Sequence, residues 1–248
     1  MRFILLWLVG ASFYLISFLR LDSLTTSIIA PLLFCSMSIF ILRAIPIRSI
    51  KTFLAYIFFF STSVLSFFDF ITPLTGSIRE SNNVLLFGFS FYSVSLAYIA
   101  NKSEKPDILS SFKIANPLLL STGPIAIFIK NYSYRGLSSR VNYYLPFVIV
   151  GIFLYQTVGA PLVTAFELIK LTDLVSSVLF AIIFELFVYA NFCGLSLILY
   201  GLFGIAGYKI PLNFRQPFSS TNIIEFWRGW HLSLSAVLKS LFYLPLRK

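Results

Sequence analysis

Charge is the first thing this sequence lacks. Only 11% of its 248 residues are charged, against about 25% in a soluble domain, which excludes an ordinary water-soluble globular protein. Histidine occurs once and cysteine twice. One imidazole and two thiols, Cys35 and Cys193, both in apolar segments, cannot supply a His/Cys metal centre or a disulfide framework. No metal site is expected, and the thiols read as small buried packing groups. Acids are also few: nine stand against 19 bases, a net charge of +10. The bases are scattered over short loops and never form a tail. That excludes a nucleic-acid partner and points to topology and anionic headgroups. There is no internal repeat, no low-complexity run and no soluble domain.

Apolar and aromatic residues fill the rest. Mean hydropathy is +0.89, 58% of residues are hydrophobic, and Phe and Tyr number 29 and 13. These features predict an all-α, polytopic transmembrane protein forming a single membrane domain over residues 1–248. A span needs about 20 mostly apolar residues. Candidates are Phe3–Leu19, Leu24–Leu42, Thr52–Phe68, Val84–Ala100 and Leu145–Val163. Leu174–Gly207 is long for one straight span and holds Glu185, Asn191 and Gly194, so a tilted or broken helix, or a span with a half-helix, is expected. Arg2 with the following apolar run reads as a retained first span, not a cleaved leader.

Loop charges set the expected topology. Basic residues follow the second span (Arg43, Arg48, Lys51), the fourth (Lys102, Lys105, Lys113) and the segment Ile114–Ile129 (Lys130, Arg135, Arg140). The other loops are nearly balanced. Ile114–Ile129 is short and interrupted by Pro117 and by the turn signal Gly123-Pro124. If it returns to the side it left, every basic loop falls on one face. The positive-inside bias then predicts a re-entrant segment, a cytoplasmic N-terminus and about six spans. Gly123 and Pro124 become candidate cavity wall, because irregular backbone at membrane depth must be buried in protein or line a cavity.

The end of the chain gathers the rare polar groups: EFWRGWHLSLS (Glu225–Ser235) holds two of the three Trp and the lone His. Asn222 with Glu225 resembles a capping box, so a helix is expected to start there. At helical spacing Trp227, His231 and Ser235 would share a face, Arg228 would pair with Glu225, and Ile223, Phe226, Trp230, Leu234, Val237 and Leu241 would form an apolar stripe. The expectation is an interfacial or half-inserted amphipathic helix. His231 is either a general base working near neutral pH or a structural histidine. Glu185 either lines a polar cavity or pairs near an interface. Cys193 and Ser196 beside Gly194 read as small residues at a helix crossing. They do not read as a nucleophile site.

The strings NFRQPF (Asn213–Phe218), EFWRGWHLSLS and YLPL (Tyr243–Leu246), preceded in order by FGFSFYS (Phe87–Ser93), STGPI (Ser121–Ile125) and NFCGL (Asn191–Leu195), resemble the signature of the membrane-bound O-acyltransferases. The branch is the bacterial one that acylates exported polysaccharides, by alginate O-acetylation or teichoic-acid D-alanylation. The resemblance covers roughly residues 85 to 248. It implies a helical fold around a tunnel, with an acyl-thioester donor arriving from the cytoplasmic side and no bound cofactor. The acceptor would be a polysaccharide hydroxyl entering from the opposite side. It further implies a plasma-membrane (inner-membrane) location with envelope acylation partner proteins. By resemblance His231 is the catalytic candidate, and Trp227, Arg228, Trp230, Ser233, Ser235, Asn213, Pro217, Gly123 and Pro124 are tunnel or motif residues. The family's further histidine block, of the Gly-Leu-Trp-His-Gly type, is not present. The expectation is therefore the N-terminal part of such an enzyme, truncated and inactive as given, or else a non-catalytic membrane scaffold. A transporter is a weaker third reading, since little intramembrane charge exists beyond Glu185. The chain departs from the family pattern at Gly229, where a second Arg is common, and at Lys239-Ser240-Leu241, where Arg-Asp-Tyr is usual.

Overall fold

A computed structural model describes residues 136–170 and 172–244 continuously, residues 127–131, and scattered positions at 40, 44, 50, 53, 54, 57, 94, 95, 97–99, 116 and 119. The chain divides into two units, Ile129–Leu232 and Met1–Phe128 with Ser233–Lys248. The described residues are mostly helical. The first three predicted spans and the Gly123-Pro124 turn lie outside the described residues, apart from the isolated helical positions already named.

The Ile129–Leu232 unit is an antiparallel helix pair. Strand β1 (Lys130–Asn131) leads into α1 (Leu137–Phe153), a π-helical segment (Leu154–Gly159) and α2 (Ala160–Glu167). Helix α3 (Leu174–Ala206) then returns to β2 (Tyr208–Lys209). Residues Leu137–Ala165 and Leu174–Ala206 are each long and apolar enough to cross a membrane. The fifth predicted span therefore begins at Leu137, not Leu145. Its first turns carry Ser138, Ser139, Arg140 and Asn142, which hid them from a hydropathy reading.

Helix α3 is uninterrupted over 33 residues. At ~1.5 Å per residue it is ~50 Å long, so it exceeds a ~30 Å hydrocarbon core and must tilt or project from it. Asp173 caps its start: the carboxylate accepts from the Ser176 N–H at 2.7 Å, and the Ser176 hydroxyl accepts from the Asp173 N–H at 3.1 Å. The Ser176 N–H bond is the main reason the Asp173 carboxyl is held below its usual range. Gly207, at φ 92, ends the helix in the left-handed conformation that favours glycine.

Gly194 and Gly201 do not break α3 because the partner helix fills the space their side chains would take. A Cβ on Gly194 would lie 2.9 Å from the Gly151 carbonyl oxygen, and one on Gly201 would lie 2.3 Å from Val148. Gly204 meets the Tyr144 ring in the same way. This is small-residue packing of the kind that brings membrane helices together; Cys193 and Ser196, expected at that crossing, are both buried, but Ser196 is met by Asn213 of the following loop.

Arg140 is a correction to the loop-charge reading. It is buried within α1 at 7% exposure, and its Nε donates to the Ile205 carbonyl at 3.0 Å. A cation there satisfies an orphan carbonyl in the last turn of α3 and complements the helix dipole. The β1–β2 pairing, with Lys130 opposite Lys209, joins the approach to α1 with the exit from α3. Lys130, Arg140 and Lys209 thus gather at one end of the pair, and Lys170 and Asp173 lie at the other.

In the Met1–Phe128/Ser233–Lys248 unit, positions 94, 95 and 97–99 are helical, within the fourth predicted span. Val94 and Ala97 pack with Val237 and Leu241, and Tyr98, Ile127, Phe128, Leu234 and Phe242 lie around them. Val237 and Leu241 are the buried part of the predicted apolar stripe. They come from α5 (Leu232–Leu238) and the π-turn Lys239–Tyr243.

Candidate functional site

The terminal motif starts as a helix where predicted. Helix α4 (Ile223–Gly229) is capped by Asn222, whose side-chain oxygen accepts from the Glu225 N–H at 2.9 Å. The reciprocal half of the box is shifted by one residue. The Glu225 carboxylate accepts from the Thr221 hydroxyl at 2.9 Å and from the Thr221 N–H at 3.2 Å. The Thr221 hydroxyl is the leading cause that holds Glu225 below the usual carboxylate range, and the charge of Arg228 contributes least. The predicted Glu225–Arg228 partnership is therefore subordinate to Thr221.

The single amphipathic helix expected from Asn222 onward is not formed. Trp230 is extended (φ −98, ψ 126) and His231 has φ 43 before α5 begins at Leu232. Trp227, His231 and Ser235 consequently do not share a helix face. Trp227 is 59% exposed and His231 is 7% exposed. Periodicity could not reveal this, because a positive φ is uncommon for a residue with a side chain.

Two backbone hydrogen bonds make the break. The Arg215 N–H donates to the Gly229 carbonyl at 2.9 Å, and the Leu232 N–H donates to the Asn213 carbonyl at 2.9 Å. The 213–217 loop and the 229–232 break are thus clipped together, and each contains a left-handed residue, Gln216 at φ 45 and His231 at φ 43. Such residues cost about 1–3 kcal/mol, persist only where the surroundings over-determine them, and cluster at functional sites. The clip also explains Gly229: a Cβ there would lie 2.9 Å from the Arg215 carbonyl oxygen and 3.4 Å from the Pro217 Cα. No second arginine fits.

Asn213 is fully buried, and its amide donates to the Ser196 hydroxyl of α3 at 3.3 Å. Pro217 is buried in the short 3-10 turn Pro217–Ser219. Trp230 lies in a ring of aromatics, 5.2 Å from Phe214, 5.3 Å from Phe226 and 5.9 Å from Tyr189 between centroids. The His231 imidazole faces Phe214 at 5.8 Å and Phe192 at 6.1 Å. Burial among these groups pushes its pKa from 6.5 down to about 4, so the imidazole is neutral at physiological pH.

Asn213, Pro217, Trp230 and His231 are therefore brought together. Trp227 and Arg228 are exposed on α4. Ser233 is buried and Ser235 exposed on α5, where the chain enters the other unit. Gly123 and Pro124 lie outside the described residues. Sequence reasoning missed Tyr189 and Phe192 and read Ser196 as a helix-crossing residue; the three lie on one face of α3 at helical spacing and supply the wall. It also left out Arg215, although that residue sits inside the NFRQPF string. Glu185 is exposed in the first half of α3. Among the described residues no cluster of three or more His, Cys, Asp or Glu could hold a metal.

The geometry describes a helical protein with two helices long and apolar enough to cross a membrane and a buried imidazole held at a clipped helix break. No protein-family model matches the chain. Part of it is similar to bacterial envelope acyltransferases. It is 38% identical over 60 residues to a peptidoglycan O-acetyltransferase of Helicobacter pylori, covering 24% of this chain and 11% of that protein. It is 43% identical over 58 residues to a probable alginate O-acetylase of Pseudomonas putida, covering 23% and 12%. It is 40% identical over 52 residues to a teichoic acid D-alanyltransferase of Bacillus subtilis, covering 21% and 13%. The resemblance to the membrane-bound O-acyltransferases thus holds on direct comparison. The matched stretch spans little more than a tenth of each of these three relatives.

Proposed function

We propose that the chain is a membrane-bound O-acyltransferase-like protein of the cell (plasma or inner) membrane. It would move an acetyl-type acyl group from a thioester donor on the cytoplasmic side to a hydroxyl of an exported or cell-envelope polysaccharide. The N-terminus would lie on the cytoplasmic side, as would the basic end of the α1–α3 pair, by the positive-inside bias. The observation that carries the reading is His231: buried, neutral, and fixed by two backbone clips within a motif resembling the family signature.

A neutral imidazole can take the proton of an acceptor hydroxyl as its oxygen attacks the thioester carbonyl. The tetrahedral species then collapses, the carbon–sulfur bond breaks, and the proton passes from the imidazolium to the departing thiolate. Asn213 and Ser196 hold the backbone that presents the ring. The rings of Phe192 and Phe214 lie against it and leave it little exposed.

A non-catalytic scaffold in envelope polysaccharide assembly is the second reading. It is favoured by the Phe192 and Phe214 rings against the imidazole, which fit a packing role as well as a chemical one. The experiment is acyl transfer in native membranes from a radiolabelled acyl thioester to polysaccharide. General-base assistance typically contributes about 10²–10⁴-fold, so His231→Asn should lose a factor of that order. Transfer undiminished in that variant would remove His231 from catalysis. A complete lack of transfer by the unmodified protein, with envelope assembly still dependent on it, would establish the scaffold.

A further inference from the structure

Glu185 is the single charged side chain among the 33 residues of α3. It stands ~17 Å along the helix from its start, at ~1.5 Å per residue. An acid inside so apolar a segment is costly unless it faces protein or a water-filled cavity. Arg140, the one base in either long helix, is bonded to Ile205 at the far end of the pair. Among the described residues no hydrogen bond or ion pair engages Glu185.

The face that Glu185 occupies shows what it serves. Glu185, Tyr189, Phe192 and Ser196 follow one another at spacings of four, three and four, and so share one face of α3. That face is turned to the motif: Ser196 meets Asn213, Phe192 meets the His231 ring, and Tyr189 meets Phe214 and Phe218. The contact with α1, through Gly194 and Gly201, is on the opposite side. Glu185 is one turn beyond Tyr189 and ~10 Å along the axis from Phe192. It is exposed, and so is Phe218, whose ring lies 4.8 Å from Tyr189 between centroids. Helical side chains lean towards the N-terminus, which brings Tyr189 towards Glu185. A carboxyl group and two aromatic rings are thus ranged along the motif face. They lie on the Asp173 side of the imidazole, away from the Lys130, Arg140 and Lys209 end.

We propose that Glu185 is a specificity-determining residue: it accepts hydrogen bonds from hydroxyls of an uncharged glycan acceptor, beside the sugar being acylated, and turns polyanionic glycans away. The proposal rests on the acyltransferase reading, in which the basic end is cytoplasmic and the acceptor enters from the other side, past Glu185. A sugar ring presents a rim of hydroxyl donors and an apolar C–H face. The carboxylate takes the first through charge-assisted bonds, and the Tyr189 and Phe218 rings pack against the second. A uronate or phosphate polymer brings like charge to the same place, which costs more among apolar groups than in water.

The test uses the full chain in nanodiscs and follows the fluorescence anisotropy of two labelled oligomers of equal length, one of glucose and one of mannuronate. The parent should bind the glucose oligomer more tightly. Glu185→Gln keeps the shape and an accepting carbonyl but removes the charge. It should shrink that preference at least about fivefold, the size of exchanging a charge-assisted for a neutral hydrogen bond. Tyr189→Leu should weaken binding of the glucose oligomer, and Tyr189→Phe should retain it. An unchanged preference in Glu185→Gln, tighter binding of mannuronate by the parent, or no binding of either oligomer would overturn the proposal. A second measurement asks what covers the face. Glu185→Cys should react with a membrane-impermeant maleimide above the parent's level, and the glucose oligomer should slow that reaction. A thiol there that stays unreactive would mean that lipid or a partner helix covers Glu185, which overturns the proposal as well. Binding that depends on Glu185 without any acyl transfer would remove the acyltransferase reading and leave the glycan site standing. Transfer to a polyanionic polymer, indifferent to Glu185→Gln, would do the reverse.

Discussion

Acidification isolates His231, because it is the only histidine in the chain. Burial lowers its pKa from 6.5 to about 4 in the folded protein. Folding therefore favours the neutral ring, and the unfolded chain binds more protons throughout the interval between the two values. The sign follows: the contribution is fully present above about pH 6.5 and is lost as pH falls towards 4. Between pH 7.5 and pH 5 the loss is about 2 kcal/mol by linkage. Exposed carboxyls such as Asp173 and Glu225 are held below their usual range and protonate only at lower pH. The comparison is with His231→Asn, which removes the titration while tolerating a positive φ better than most residues do. Thermal unfolding of both proteins in the same detergent should show the parent losing about 2 kcal/mol more than the variant over that interval. For a chain of this size that is roughly 4–8 °C in apparent Tm. Superimposable profiles would show that the imidazole is not buried in its neutral form. A parent that gains stability on acidification would show that a partner favours the imidazolium. If His231 is also the base, the acid limb of kcat/KM should fall near pH 4, not near 6.5, because that limb reports the free enzyme's group.

Other consequences can be checked individually. Gly229→Ala gains helix propensity of about 1 kcal/mol but places a Cβ 2.9 Å from the Arg215 carbonyl oxygen. The clash should dominate, with a net loss of about 1–3 kcal/mol in chemical denaturation. Arg140→Gln removes the charge-assisted bond to Ile205 and should cost about 1.5–3 kcal/mol, read as earlier proteolysis of the 206–222 loop. Gly201→Leu should separate α1 from α3, since even a Cβ would lie 2.3 Å from Val148; loss of a Tyr144–Gly204 cysteine cross-link would report it. Thr221→Val and Glu225→Gln should be non-additive in stability, because both act on the Thr221 hydroxyl–Glu225 carboxylate bond. Glu225→Gln and Arg228→Gln should be close to additive.

What the sequence made legible was whatever follows from hydropathy and capping chemistry. The long apolar runs marked α1 to α3, and Asn222 marked the start of α4. Arg140 shows the limit of counting charges. A base four residues past a glycine looks like a loop charge until a second helix brings a carbonyl to meet it. The site was legible in its membership more than in its shape. Asn213, Pro217, Trp230 and His231 come together, but a periodic reading makes one helix of residues that belong to two. The break is written in long-range backbone bonds, Arg215 to Gly229 and Asn213 to Leu232, and no local pattern announces those. Gly229 carried the missing signal. Where the family resemblance favours an arginine, a glycine implies a backbone approaching too closely for any side chain, and here the approaching backbone belongs to NFRQPF. The two motifs are thus halves of a single clip, and the placement of His231 depends on both.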